Sequence, residues 1–138
     1  MTSRHGDFHW LELNTRDPEA AEAFYTKVLG WTIETVPMAD GAPYRLIKNG
    51  DTLVGGIFLM EEDYFKGIPN HWFHYFAVED IDETHAAVLA AGGEIRRPPF
   101  DVPEVGRVMI ILDDAGAPLG LMQPAPEVAE VGEAADAP

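Results

Sequence analysis

The strongest constraint on this chain is a repeat, because features of its first half recur 63 residues later. Asp17 is matched by Asp80, and Gly30 is matched by Gly93. Each Asp follows an apolar, strand-like run and precedes a helix-like run, and each Gly ends that helix-like run. A repeat of this length indicates that one supersecondary unit occurs twice and packs against its copy. We therefore expect two similar modules with a ligand site in the cleft between them.

Each module is predicted to follow the order βαβββ. In the first module an apolar run at 7–14 predicts a strand, and Asp17-Pro18 provides an N-cap followed by proline at the first helical position. Three further strand-like runs follow, and the Asn49-Gly50 pair between the last two is typical of a hairpin turn. The polar segment 61–70 then connects this module to a second one of the same order.

The predicted fold class is therefore α+β, with two βαβββ modules forming a cupped mixed sheet. The modules occupy residues 7–60 and 71–124 and together form one domain, 1–124. The remaining segment, 125–138, is rich in Ala, Glu and Pro and lacks apolar periodicity. It is predicted to be an acidic disordered tail.

Charge excludes several classes of partner. The chain has 138 residues, nine Lys and Arg residues and a formal net charge of −15. Nucleic acids and anionic membranes both require clustered positive charge, so neither is expected as a partner. Cysteine is absent, which excludes thiolate chemistry and disulfides. Neither a leader-like apolar run nor a membrane-length segment is found, so we expect a cytoplasmic protein.

Longer motifs give the chain a family resemblance. DPEAAEAFYTKVLGW begins at Asp17, and AVEDID, AAGG and VGRVMIILDDAGA occur in the second half. In combination these motifs resemble the vicinal oxygen chelate superfamily, which includes glyoxalase I, bleomycin-resistance proteins and extradiol dioxygenases. The resemblance covers residues 7–124. It implies the same cupped fold, a small-molecule ligand in the cup and a homodimer.

The resemblance also implies where a catalytic divalent metal would be held, namely on the first and fourth strands of each module. The corresponding residues here are Trp10, Ile57, Phe73 and Gly120. None of these side chains can coordinate a metal ion, so no cofactor is predicted. A shift of one residue would instead offer His9 and His74, which together with Glu12 form the alternative metal-ligand set.

The same positions are candidates for ligand binding. Trp10 and Phe73 would either clamp a flat apolar ligand or fill the cleft themselves. Glu12 lies two residues after Trp10 and hence on the same strand face. Its carboxylate could anchor a ligand, act as a general base or pair with Arg107. The other lining candidates, besides Ile57 and Gly120 above, are Tyr44, Tyr75, Met109 and Met122.

The function that these residues favour is binding of a small apolar or aromatic molecule in a metal-independent cleft, as in bleomycin-resistance proteins. One alternative is a metal-dependent lyase or dioxygenase of the glyoxalase type. Another is a metal-free enzyme with Glu12 as its base. The pair Gly55-Gly56, which lies in a predicted strand, either leaves room for a ligand in the cleft or permits close contact between strands, and we favour the second interpretation.

Overall fold

The computed structural model describes residues 4–38, 41–61, 63–102 and 106–125. The predicted tail, apart from its first residue, lies outside these ranges. The first module contains β1 (Phe8–Thr15), α1 (Pro18–Leu29), β2 (Thr32–Pro37), β3 (Pro43–Asn49) and β4 (Thr52–Leu59). A 3₁₀ turn at Asp63–Phe65 follows it. The second module contains β5 (His71–Ala77), α2 (Ile81–Ala90), β6 (Glu94–Val102), β7 (Gly106–Leu112) and β8 (Pro118–Pro124). The α+β fold class and the order βαβββ are confirmed in both modules.

The chain divides into two compact units. Residues 10–73 form the first unit, and residues 74–125 form the second together with 4–9. The N-terminal residues belong to the second unit because the backbone of Gly6 and Asp7 is hydrogen-bonded to Ala77. Among the residues that the structure describes, no helix is long and apolar enough to cross a membrane.

Each unit contains four strands in a mixed arrangement. In the first unit the strand order is β2-β3-β4-β1, with β4 and β1 parallel and the other neighbours antiparallel. In the second unit the order is β5-β8-β7-β6, with β5 and β8 parallel. The fourth strand of each module therefore pairs with the first strand of the same module.

The repeated Asp residues begin the two helices as predicted. The Asp17 carboxylate accepts a hydrogen bond from the Ala20 N–H, and the Asp80 carboxylate accepts from the N–H groups of Asp82 and Glu83. These bonds satisfy amide groups that have no partner within the helix. Gly30 ends α1 in the left-handed conformation, with φ of 72°. The two helices thus share their start signal at the predicted spacing.

Each unit buries one sheet face beneath its helix. In the first unit Leu13, Ile47 and Ile57 form the core, and Ala21 and Tyr25 of α1 pack against it. In the second unit the core lies beneath α2 and consists of Val78, Ile81, Met109, Ile111 and Leu121. The sheet face turned away from the helix of the same unit is called the far face below.

The second core generates a stability prediction. Met109 is completely buried, whereas Leu89 on α2 is 54% exposed. Met109→Ala should lower the free energy of unfolding by about 2–5 kcal/mol, because it leaves a cavity in the packed interior. Leu89→Ala should change it by less than about 0.5 kcal/mol. Urea unfolding of both variants measures this, and equal losses would contradict the placement of Met109.

Candidate functional site

The pairing of β1 with β4 determines which of their residues can belong to the candidate site. The two strands pair with Glu12 beside Gly56 and Leu13 beside Ile57. Leu13 and Ile57 lie in the core beneath α1. Because side chains alternate along a strand, Trp10, Glu12 and Gly56 lie on the far face of the first unit. The prediction that Trp10 and Glu12 share a face therefore agrees with the strand geometry.

A chain of hydrogen bonds joins three of the predicted residues on this face. The Trp10 Nε1–H donates to Tyr44 Oη at 3.3 Å, and the Tyr44 hydroxyl donates to Glu12 Oε2 at 2.7 Å. All three residues are partly buried. A short hydroxyl bond to an ionised carboxylate is stronger than one between neutral groups. We call this arrangement the Trp10–Tyr44–Glu12 chain.

Gly56 leaves the space in which the Tyr44 ring lies. A Cβ atom added at residue 56 would overlap the hydroxyl and the ring of Tyr44. Neither sequence interpretation of Gly55-Gly56 anticipated that Gly56 makes room for a side chain of the protein itself. The available signal was the pair of glycines within a predicted strand. The packing interpretation fits Gly55, because a Cβ there would overlap the Leu11 carbonyl oxygen.

The second unit has a related arrangement. Tyr75 pairs with Gly120, and a Cβ atom added at residue 120 would overlap the Tyr75 ring. Leu121 packs in the core beneath α2, so Gly120 and Met122 lie on the far face of this unit. Met122 is 6% exposed. The candidates Tyr75, Gly120 and Met122 therefore share one face of one unit.

Two candidates lie on the core side instead of the far face. Ile57 is 2% exposed and packs beneath α1, while Met109 is fully buried beneath α2. Neither lines a far face. The reason for the Ile57 error is register: Gly56 and not Ile57 corresponds to Gly120, so the fourth strands are offset by 64 residues although the first strands are offset by 63.

The remaining candidates occupy separate surroundings. Phe73 belongs to the first unit, and its ring meets that of His71 edge-on at 6.1 Å. His74 belongs to the second unit, where its ring lies 5.9 Å from Phe8 and stacks on Phe76. Arg107 pairs with Asp82 and Asp101 of its own unit at 3.4 and 3.2 Å, so its charge is matched there by carboxylates.

The donor set does not fit a bound divalent metal. Within residues 4–38, 41–61, 63–102 and 106–125, no three His, Cys, Asp or Glu side chains gather in a way that could hold one. In the alternative set, strand alternation directs His9 to the face opposite that of Glu12. Burial lowers the pKa of His9 below 6.5, and the nearby Asp7 opposes this only partly. The four positions implied by the resemblance carry no metal-binding side chain.

Comparison with known proteins identifies related sequences. The model of the Glyoxalase/Bleomycin resistance protein/Dioxygenase superfamily matches residues 7–121. The chain is 42% identical over 127 residues to "Putative glyoxylase CFP32" of Mycobacterium tuberculosis, covering 92% of this chain and 48% of that protein. It is 32% identical over 119 residues to "Anthracycline biosynthesis protein DnrV" of Streptomyces peucetius, covering 78% of this chain and 43% of that protein. The chain spans about half the length of the curated relatives it matches.

Comparison with solved structures identifies the same fold. Methylmalonyl-CoA epimerase from Mycobacterium tuberculosis superposes with a TM-score of 0.64 at 17% identity, covering 94% of this chain and 95% of that one. A methylmalonyl-CoA epimerase in complex with methylmalonyl-CoA and NH4+ superposes with a TM-score of 0.63 at 16% identity, covering 88% and 96%. At these identities the likeness is one of fold.

The lowered pKa of His9 predicts a pH dependence of stability. Well above pH 6.5, the ordinary pKa of histidine, His9 is neutral in both the folded and the unfolded chain. Below that value the unfolded chain binds a proton that the folded chain resists, so the free energy of unfolding should decrease. His9→Gln should therefore reduce the loss in urea midpoint between about pH 7.5 and about pH 5.5. The exposed residue His74 provides the control variant His74→Gln, and an unchanged loss in His9→Gln would contradict this effect of burial.

Proposed function

Because the chain belongs to the Glyoxalase/Bleomycin resistance protein/Dioxygenase superfamily, we propose that it binds a small, flat, mainly aromatic molecule in a metal-independent manner. The proposed site is the far face of the first unit. The observation that carries the proposal is the Trp10–Tyr44–Glu12 chain. It combines an indole ring with a positioned carboxylate on one strand face.

The chemistry of these groups defines the ligand class. An indole ring offers a large apolar surface on which a flat π-system can stack. An ionised carboxylate only accepts hydrogen bonds, so Glu12 favours a ligand that carries a hydroxyl or ammonium group. The hydrogen bond from Tyr44 at 2.7 Å positions that carboxylate. The proposed ligand is therefore a planar aromatic molecule with at least one hydrogen-bond donor.

Charge argues against a ligand rich in phosphate, such as a coenzyme A thioester. The net charge of the chain is −15, which repels anions over the whole surface. In the first unit the guanidinium of Arg45 pairs with Glu22 at 2.8 Å and the Lys48 amine pairs with Glu34 at 2.9 Å. These cations are already matched by carboxylates. The similarity to methylmalonyl-CoA epimerases therefore does not lead us to propose their substrate.

A polycyclic aromatic ligand is supported by one relative. The protein named for anthracycline biosynthesis is 32% identical to this chain. Anthracyclines are flat, hydroxylated ring systems with an amino sugar, so they match the indole surface, the carboxylate and the negative net charge.

We also propose that the protein forms a homodimer and is located in the cytoplasm. The first proposal rests on the family resemblance and the second on composition.

One specific observation favours a second function. The Tyr44 hydroxyl is hydrogen-bonded directly to Glu12, and a hydroxyl in that position could stabilise a carboxylate that exchanges a proton with a bound molecule. The alternative is a metal-free enzyme in which Glu12 is the base. The fold similarity to enzymes called epimerases is compatible with this chemistry, because inversion at a carbon next to a carbonyl needs a base.

Ligand titrations test the proposal. An anthracycline should quench tryptophan emission in a saturable manner, equally with and without a chelator, whereas methylmalonyl-CoA should not bind. Glu12→Gln keeps the shape of the side chain but removes its charge. It should weaken anthracycline binding at least about tenfold, because a hydrogen bond to a charged group contributes about 1.5–3 kcal/mol.

The control variant is Asp51→Asn, which removes one negative charge from an exposed turn and should leave binding unchanged. Saturable binding that Glu12→Gln does not weaken would contradict the proposed site. Chelator-sensitive binding would favour the metal-dependent alternative. Conversion of the probe by the wild-type protein, abolished in Glu12→Ala, would favour the enzyme with Glu12 as base.

A further inference from the structure

We propose that Gly56 is a positioning and specificity residue of the candidate site, and that Gly120 has the corresponding role in the second unit. Each glycine leaves the volume in which a tyrosine ring lies against the fourth strand. The part of this inference that concerns ligand preference rests on the proposed function. The part that concerns the placement of the tyrosines does not.

Gly56 leaves room for the ring of Tyr44. An added Cβ atom at this position would overlap the Oη, Cζ and Cε2 atoms of Tyr44. Gly56 itself is buried, and Tyr44 is partly buried. Any side chain at residue 56 would therefore displace the aromatic ring. The hydroxyl that joins Trp10 to Glu12 would move with it.

Gly56 differs from Gly55, whose small size serves ordinary strand packing. A Cβ atom at Gly55 would meet the backbone carbonyl of Leu11, which cannot move without disturbing the pairing of β1 with β4. At Gly56 the obstacle is a side chain, which can rotate to another rotamer. Substitution of Gly55 should therefore damage the fold, whereas substitution of Gly56 should mainly displace Tyr44.

A glycine also makes room for a tyrosine ring in the second unit. In the second unit a Cβ atom at Gly120 would overlap the Cδ2 and Cε2 atoms of Tyr75. Tyr75 comes from the neighbouring strand β5, whereas Tyr44 comes from β3. The two tyrosines therefore reach equivalent glycines from different strands. The property that the two units share is therefore the open space beside the glycine of the fourth strand. The position of the tyrosine in the sequence is not shared.

The consequence for the ligand is a preference set by the tyrosine hydroxyl. The hydrogen bond from Tyr44 fixes the orientation of the Glu12 carboxylate, which can then accept a hydrogen bond from a ligand. With Tyr44 displaced, that carboxylate loses the hydrogen bond from the Tyr44 hydroxyl, and Trp10 loses the acceptor of its indole N–H. A hydroxylated aromatic probe should then lose its advantage over the same ring system without hydroxyl groups.

The test without ligand uses the indole N–H resonances of ¹⁵N-labelled protein. Gly56→Ala and Tyr44→Ala should each shift the Trp10 resonance, because both remove its hydrogen bond to Tyr44. The double variant should show the Tyr44→Ala shift with no further change, since the added methyl group then meets no ring. An unshifted Trp10 resonance in folded Gly56→Ala would overturn the inference. A further shift in the double variant would also overturn it.

The test with ligand uses 2-hydroxyanthraquinone, whose hydroxyl group points away from the quinone carbonyls, and unsubstituted anthraquinone as matched probes. Gly56→Ala should weaken binding of the hydroxylated probe about tenfold and change binding of the other by less than about twofold. In the Tyr44→Ala background the same substitution should have no effect on either probe, which is the signature of a residue acting through its neighbour. Equal losses for both probes would overturn the specificity role.

Two outcomes separate this inference from the proposed function. If neither probe binds the wild-type protein but the Trp10 resonance behaves as expected, the proposed ligand class fails and the positioning role of Gly56 stands. If Gly56→Ala does not fold while the double variant does, a steric conflict with Tyr44 is still demonstrated. If neither variant folds, Gly56 is a packing residue like Gly55 and the inference is wrong.

Discussion

The first unit depends on the close parallel approach of β1 to β4. Gly55 allows the Leu11 carbonyl to pass without steric overlap, and the resulting register places Leu13 beside Ile57 and Glu12 beside Gly56. Because a strand alternates its side chains, this one alignment assigns Leu13 and Ile57 to the core beneath α1. The same alignment assigns Glu12 and Gly56 to the far face. Core and candidate site are thus consequences of a single register.

In the second unit the first and fourth strands also pair in parallel, but different residues lie at the equivalent positions. Its first and fourth strands pair with Tyr75 beside Gly120, so an aromatic ring lies where the first unit has the carboxylate of Glu12. The tyrosine that covers Gly56 comes instead from β3, and its hydroxyl contacts Trp10 and Glu12. Duplication therefore preserved the backbone arrangement, including the helix caps at Asp17 and Asp80, while the polar groups of the two units diverged.

Local sequence signals predicted the fold well. Capping aspartates, glycines at helix ends and alternating strand patterns act over a few residues, and the structure bears them out at Asp17, Gly30 and Asp80. The second helix is the exception, because its C-cap is Ala91 and not the predicted Gly93. For Trp10, Tyr44 and Glu12 the sequence could predict that they line the same site, but not that hydrogen bonds connect them. Register between distant strands was not predictable. The second module has one more residue before its fourth strand than the first module, so the offset of 63 pointed to Ile57 on the core side instead of Gly56 on the far face. Met109 failed for a related reason: alternation within β7 does not reveal which face meets α2.

The contact between Gly56 and Tyr44 also restricts how this protein can change during evolution. A donor side chain at residue 56 cannot appear by one substitution while Tyr44 keeps its position, since the two would occupy the same volume. Loss of Tyr44 alone would leave Trp10 and Glu12 without their shared partner. A side chain larger than that of glycine at residue 56 would therefore need a second substitution at residue 44. The same restriction applies in the second unit, where a side chain at residue 120 would occupy the volume of the Tyr75 ring.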